Sequence, residues 1–512
     1  MFRVLVFSLL FNSIYGLKIL FYQVAFGHSH VFFSGRLADE LIDRNHVVDQ
    51  VFAMWTPDLK TNGTERFRRV YRIENSQSPY LQSVHMNDPF GPKADYLPIF
   101  QQSQRLFCTQ LLSDSRLLNE LQNEKYDIGL STGYDNCGLA LFHLIGIKST
   151  AIYVPTPPAI GHLESHGIPS LPSFQTDVIF PIALGTKFTF FERFLNTIDY
   201  LKRTYRLHQM IKLETKLIQR LHPNLPSMDE LLMNLAFVFV NVDPILDHPR
   251  VFSNKIKFIG GIHLSEKRNK DLQLPDEYRS LLDNSLPDGV VVFSLGSVVK
   301  MKSTPEHIRH SFFEALGELQ NHTIIWKHED PEIDNEIAQL YPNIHLKRWI
   351  PQRQLLEDQR VKLFITHLGL NSYMETARSG KPVVALPLII DQQHNAGAAV
   401  EKGLGVMINK ENITVDSIRE AVGEVLKNPN YIETARLIAR MLRSQPQNPN
   451  LDFVRNVEFA AEFPSWSKLM QLESGWQNFA VRHSLDVISV FLIFFLSILF
   501  LTLKYFRSYQ SL

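Results

Sequence analysis

The sequence predicts an α/β protein built from two doubly wound domains that face each other across a cleft, followed by a transmembrane helix near the C-terminus. Three observations carry this. The chain has 512 residues, more than one hydrophobic core usually organises. Short β-branched and aromatic runs alternate with helical patterns in two successive series, as in parallel sheets covered by helices on both faces. Finally, VISVFLIFFLSILFLTL, Val487 to Leu503, runs without a charge, and at about 1.5 Å per residue it just spans a hydrocarbon core.

Taken in order, MFRVLVFSLLFNSIYG has one basic residue, an apolar run from Val4 to Phe11 and a small residue at Gly16, so residues 1–16 read as a signal peptide. KILFYQVAF is a buried strand and Phe33 to Arg44 a helix, together a βα unit. YDIGLS, GLALFHLIG and TAIYVPTP continue as strand, helix and strand. The stretches from Trp55 to Asn123 and from Pro155 to Pro226 are richer in proline and polar residues and read as insertions around a pocket. AFVFVNVDPILDHPRVF closes the first domain, placed at 17–245, with a linker near Asp243 to Arg250, where proline disfavours helix in the residue before it.

The second domain, placed at 250–472, carries GVVVFSLGS, HTIIWKH, NIHLKRWI, VKLFITH, PVVALPL and GVMIN as strands. Its closing segment, up to Leu472, reads as helix that packs back on the body. After the apolar run at 487–503, Lys504 and Arg507 open a tail at 504–512 that the positive-inside rule puts in the cytosol. The body is then lumenal or extracellular. The sequons at Asn62, Asn321 and Asn412 agree with that topology. Cys108 and Cys137 are the two cysteines; they read as buried thiols, with one bridge as the alternative, and disulfides are not what holds the fold. Lys plus Arg and Asp plus Glu are both 52, which argues against a polyanionic partner such as nucleic acid.

The chemistry concentrates in ITHLGLNSYMETARSGKPVVALPLIIDQQHNAG, Ile365 to Gly397. Ligands of open parallel sheets sit beyond the carboxyl ends of the strands. There one strand runs into His367 and the next into Asp391 and Gln392. His367, Asn371 and Glu375 recur every fourth residue, a ladder along one helix face. Gly369 in the first turn leaves amides free for a phosphate, and Glu375 suits a ribose diol. Trp349 and Gln352 follow one earlier strand and Ser297 another, adding a base-stacking indole and further polar groups to the same end of the sheet.

The run from Trp349 through Gln352 and the His367 region to Asp391 and Gln392 resembles the signature of the UDP-glycosyltransferase family. The membrane-bound UDP-glucuronosyltransferases are the most similar, and among them the nematode-like branch. The resemblance extends from Lys18 to the tail and includes LMNLAFVFVNVDPILDHPR and FIGGIHL. It implies two facing Rossmann-like domains of GT-B type. Trp349 and Gln352 would hold uridine, Ser297, His367 and Asn371 the diphosphate, Glu375 the ribose, and Asp391 with Gln392 the sugar hydroxyls. Leu368 replaces the family's small residue after the histidine.

In AFGHSHVFF, His30 matches the family's catalytic histidine and would act as general base. The acidic residue that orients it in the family is replaced by Thr132, and Asp135, three residues later, is the substitute on offer. Two readings follow: an inverting transferase acting on a small apolar acceptor, or a catalytically weak or silent UDP-sugar-binding membrane protein. No two aspartates are separated by a single residue, so transfer is expected without a metal. No cofactor is implied beyond the UDP-hexose co-substrate. The endoplasmic reticulum is the implied membrane, and a homo- or hetero-oligomer is left open.

Overall fold

The computed structural model describes residues 16–82, 89–91, 97–179, 181–182, 184–264, 273–296 and 299–510. Residues 1–15 of the expected signal peptide and Ser297 lie outside them. The first sheet has seven strands: β1 Lys18–Val24, β2 Val47–Met54, β3 Arg69–Glu74, β4 Ile128–Thr132, β5 Ser149–Val154, β6 Phe237–Val240 and β7 Ile256–Phe258. Their order is β3-β2-β1-β4-β5-β6-β7, parallel throughout. The apolar run of β1 is continuous because both of its faces are covered. Leu20, Tyr22 and Val24 pack with Phe107, Leu111 and Leu139 on one side. Ile19 and Phe21 pack with Leu37, Leu41 and Phe453 on the other.

The second sheet comprises β8 Val290–Ser294, β9 Thr323–Lys327, β10 Ile344–Lys347, β11 Val361–Thr366, β12 Val383–Ala385 and β13 Gly405–Met407. It is parallel, in the order β10-β9-β8-β11-β12-β13. In each sheet the order reverses beside the first strand, between β1 and β4 and between β8 and β11. Those switch points are where loops splay apart and leave a crevice. His30 and Asp135 follow β1 and β4, and His367 follows β11, so the candidate chemistry sits at both.

Several expectations are corrected. Strand β7 belongs to the first sheet, so the boundary drawn at 245 to 250 falls one strand too early. The late helix Pro449–Glu462, assigned to the second domain, buries Phe453, Val454, Val457 and Ala460 against the first sheet. The insertion from Pro155 to Pro226 contains a helix of 32 residues, Phe190–Leu221, started by a capping box between Thr189 and Glu192. Cys108 and Cys137 are paired, not free, with Cα atoms 5.6 Å apart. The bond ties the helix Leu97–Ser113 to the helix Cys137–Leu144 and closes a loop of 29 residues, a constraint worth about 3–4 kcal/mol.

The apolar segment lies in the helix Leu485–Gln510, which is long and apolar enough to cross a membrane and has none of that segment buried against the protein. Of the sequons, Asn321 and Asn412 are exposed, while Asn62 is half-buried and its Oδ1 accepts from Arg72 at 2.6 Å.

Candidate active site

At the second switch point the His367 ring is wedged between two glycine backbones. A Cβ on Gly296, at φ +76°, would lie 2.5 Å from His367 Cε1, and one on Gly369 would lie 2.7 Å from its Nε2. Both glycines are therefore demanded by close approach. Burial, reinforced by the nearby Lys327 ammonium, pushes His367 down to about 4, so its imidazole is neutral near pH 7. It precedes the helix, which runs Leu370–Ser379 with Gly369 as an N-cap that no side chain caps. Only Asn371 and Glu375 share the helix face expected for all three. The first amides of that helix have no partner within it.

Leu368 answers the question its bulk raised. It is 0 % exposed and packs with Leu246, Tyr373 and Met374, so its side chain turns away from the phosphate site. Its backbone is left-handed, φ 56°, which for a non-glycine costs roughly 1–2 kcal/mol. Burying a leucine contributes about 1.5–3 kcal/mol in return. Two side chains hold the strained residue: its N–H donates to Thr366 Oγ1 at 3.2 Å, and its carbonyl accepts from Asn395 Nδ2 at 3.1 Å.

The groups expected at the nucleoside are already linked. Gln352 Nε2 donates to Glu375 Oε2 at 2.6 Å and to Ser372 Oγ at 3.1 Å, and burial raises the Glu375 carboxyl above its ordinary value. Trp349 is 68 % exposed, with Lys327 Nζ 5.5 Å from its ring centroid. Lys327 also donates to the Gly296 carbonyl at 2.7 Å. It is a buried cation beside the loop expected to hold the diphosphate, it also pairs with the Glu329 carboxylate, and sequence reasoning missed it. Its signal was a lysine at the end of an otherwise buried strand, where a cation needs a partner.

Asp391 stands at the N-cap position of the helix Gln392–Glu401 without a side-chain capping bond, and its Oδ2 accepts from Asn395 at 2.9 Å. Gln392 Oε1 accepts the amides of Leu388 and Ile389 at 2.8 and 3.0 Å, so its carbonyl braces the loop and its amide end remains for a ligand. Between them Ile390 is held at φ 54°, a genuine outlier for a β-branched residue and of a kind that gathers at functional sites.

Across the cleft, His30 lies in the first turn of the helix His28–Ile42, which starts earlier than expected. Its ring stands 4.3 Å from Phe26 and 5.1 Å, edge-on, from Tyr134. Burial pushes it down to about 4, and its Nδ1 has no hydrogen-bond partner. Asp135 does not orient it. The Asp135 carboxylate accepts from Tyr22 Oη at 2.7 Å, from the Cys137 amide at 2.8 Å and from Gln104 at 3.2 Å. The turn after β4 aims this acid under the sheet, where buried carboxylates find donors. Thr132 Oγ1 is buried and likewise without a partner.

His30, Phe26, Phe100 and Tyr134 line a cavity of about 260 Å³, and Ile390 of the second lobe closes it. Tyr134 donates to or accepts from Thr156 Oγ1 at 2.9 Å; burial first, then the Asp391 carboxylate, raise its pKa. Asn371 Oδ1 accepts from Asn241 Nδ2 at 3.4 Å, a direct bridge between the lobes. The loop that carries Asp391 and the candidate base thus border one cavity.

Comparison with known proteins decides the family. The model for UDP-glucoronosyl and UDP-glucosyl transferases matches residues 23–511. The chain belongs to this family. It is a glycosyltransferase enzyme, moving sugar from a UDP-sugar to an acceptor. Its relatives include a putative UDP-glucuronosyltransferase of Caenorhabditis elegans, ugt-56, 28 % identical over 88 % of this chain and 87 % of the relative. Human UDP-glucuronosyltransferase 1A9 is 26 % identical over 93 % and 89 %. Among solved structures, the glycotransferase of kitacinnamycin aligns with a TM-score of 0.60 at 19 % identity, covering 88 % of this chain and 99 % of its own. Os79 from O. sativa in complex with UDP aligns with a TM-score of 0.60 at 16 % identity, covering 87 % and 100 %. These likenesses establish the GT-B fold of two facing Rossmann-like halves.

Proposed function

We propose that the protein transfers a glucuronosyl or glucosyl group from its UDP donor to the hydroxyl of a small apolar acceptor, in one inverting displacement without a metal. The acceptor oxygen attacks the anomeric carbon as the bond from that carbon to the diphosphate breaks. The hydroxyl proton passes to a ring nitrogen of neutral His30, and the bonding pair leaves on UDP. The helix amides after Gly369, a hydrogen bond from His367 and the Lys327 charge receive that developing negative charge. Trp349 and Gln352 hold uridine, Glu375 the ribose, Ser297 and Asn371 the diphosphate, and Asp391 and Gln392 the sugar.

The observation that carries this reading is the shared enclosure: His30 and Ile390, the neighbour of Asp391, line one cavity. The test is UDP release from UDP-glucuronate and UDP-glucose, in competition, across an acceptor panel. Release that needs both acceptor and His30 supports the reading, and release that persists in His30→Ala overturns it. A second reading rests on the unpartnered His30 Nδ1 and Thr132 Oγ1: a silent UDP-sugar-binding protein, which would show calorimetric UDP binding and no turnover. In either case the helix Leu485–Gln510 anchors a lumenal body in the endoplasmic reticulum membrane. Glycosidase-sensitive mass shifts lost on substituting Asn321 and Asn412 test that topology.

A further inference from the structure

The acceptor cavity has two chemically different sides. Phe26, Tyr80, Phe100 and Tyr134 make it aromatic toward the cleft. Gln101, Gln104, Met210 and Glu214 are shared with a second cavity of about 430 Å³ that contains no residue of the second lobe, so they mark the far wall. Glu214 projects there from the helix Phe190–Leu221. Its Oε1 accepts from Gln104 Nε2 and its Oε2 from Asn136 Nδ2, each at 2.8 Å. The same Gln104 amide reaches Asp135 Oδ1 at 3.2 Å. Two carboxyl groups therefore lie one amide apart, with neutral donors only.

None of the described residues lining the cavity is a lysine or arginine. Burial first, then repulsion from Asp135 and Asp229, pushes Glu214 up to about 7 against the hydrogen bonds from Asn136 and Gln104. A cation from outside would relieve that repulsion.

A histidine on the same cavity asks for the same partner. His166 is 1 % exposed and lines it. Its Nδ1 lies 2.8 Å from the His162 carbonyl, so Nδ1 carries the proton and Nε2 is a bare acceptor, without a partner. Burial holds the ring neutral, down to about 3. Lys255, the cation acting on this ring, is outside the lining and donates instead to the Met233 carbonyl at 2.9 Å and to Gln471 at 2.7 Å. His162 shows the contrast, with Nε2 donating to the Gly133 carbonyl at 2.8 Å and Nδ1 accepting from the Ala159 amide at 3.1 Å.

We propose that the acceptor is a hydroxylated aromatic amine, bound as its ammonium with N–H groups toward Glu214 and His166 and its hydroxyl toward His30. The proposal rests on reading this cavity as the acceptor site. An ammonium brings donors and no acceptor, matching the unpartnered His166 Nε2 and the Glu214 carboxylate, whose two oxygens each accept one neutral amide and keep a further lone pair, and aromatic faces attract a cation. The volume of about 260 Å³ lies just below the usual range of small-molecule sites, about 300–1,000 Å³, which suits a molecule of one or two rings.

The test is calorimetric binding to the full chain in detergent, near neutral pH, of three phenols that differ only at the para side chain: aminoethyl, propyl and carboxyethyl. The aminoethyl phenol is expected to bind about tenfold more tightly than the propyl phenol, as a charge-assisted hydrogen bond gives, and the carboxyethyl phenol most weakly. Glu214→Gln should bring the amine-to-alkyl ratio close to one. Equal binding of amine and alkyl phenols by the native chain overturns the proposal whether or not the variant folds, and so does a preference that survives Glu214→Gln. Because binding is read without transfer, amine selection with no UDP release from the amine would sink the transferase reading and leave this one. UDP release with the propyl phenol and no amine preference would do the reverse.

Discussion

The two switch points use the same topology to opposite ends. In the second lobe several polar groups of the candidate site are held before any ligand arrives: Gln352 holds Glu375, Asn395 holds Asp391, and Gln392 braces its own loop. In the first lobe they are left unmet, with His30 Nδ1, Thr132 Oγ1 and His166 Nε2 all buried and without partners. A donor of fixed structure rewards a site whose side chains are locked in advance. The acceptor side instead keeps open valences in an aromatic enclosure, and a buried polar atom left open costs stability. Orphaned atoms also occur away from the cleft, at Gln50 Oε1, Trp326 Nε1 and His328 Nδ1, so the difference lies in which side of the cleft carries orphans and not in orphans as such.

That contrast can be broken at four points. His30→Ala should lower turnover by about 10²–10⁴-fold, the usual worth of a positioned general base, read as acceptor-dependent UDP release. Leu368→Gly tests whether backbone strain or side-chain burial dominates at the diphosphate loop. Loss of a fully buried leucine costs about 2–5 kcal/mol and relief of the left-handed backbone returns about 1–2 kcal/mol, so denaturant unfolding should show a net destabilisation. A more stable variant would put strain ahead of packing. Glu375→Ala should weaken UDP binding by about 10- to 100-fold, the scale of a hydrogen bond to a charged group, with a smaller effect on turnover at saturating donor.

The smallest effect concerns pH. His30 must be neutral to take a proton, and burial has moved it from 6.5 to about 4. The neutral form therefore persists as pH falls through 6.5, and kcat/KM should show no acid limb there. Thr132→Asp, at the end of β4 beside β1, should raise the histidine toward its ordinary value and bring an acid limb with it. An unchanged profile would mean that Thr132 does not face the ring.

Most of the doubly covered strands were legible because double burial leaves continuous β-branched runs; β2, VVDQVFAM, was missed although it is buried, because Asp49 and Gln50 interrupt its apolar run. Strand β3, RVYRIE, escaped because only Ile73 of its residues is buried, and β7 because it is three residues long. The helix Phe190–Leu221 buries only Asn196, Tyr200, Thr204, Ile211 and Ile218, so no apolar stripe announced it. Its Thr189-Phe-Phe-Glu192 capping box was the available signal. The groups proposed for the donor were read together because they fall in one contiguous signature. Glu214 and His166 were not, since a polar residue inside an irregular insertion reads the same whether it faces solvent or a cavity. Asp135 was located in the right turn and aimed wrongly, because only the fold shows that Tyr22 and Gln104 await it.

The helix Pro449–Glu462 gives the chain an order of assembly. Its Phe453 and Val457, both 0 % exposed, cover a face of a sheet whose first strand was synthesised more than 400 residues earlier. Until the ribosome has released that helix, Phe239 and Tyr153 lie under an open flank, and the next long segment to emerge is the apolar Leu485–Gln510. Completion of the lobe and delivery of the anchor are thus nearly simultaneous events. A secreted fragment cut after the second sheet would carry a sticky wound, and one that keeps residues through 462 would emerge sealed.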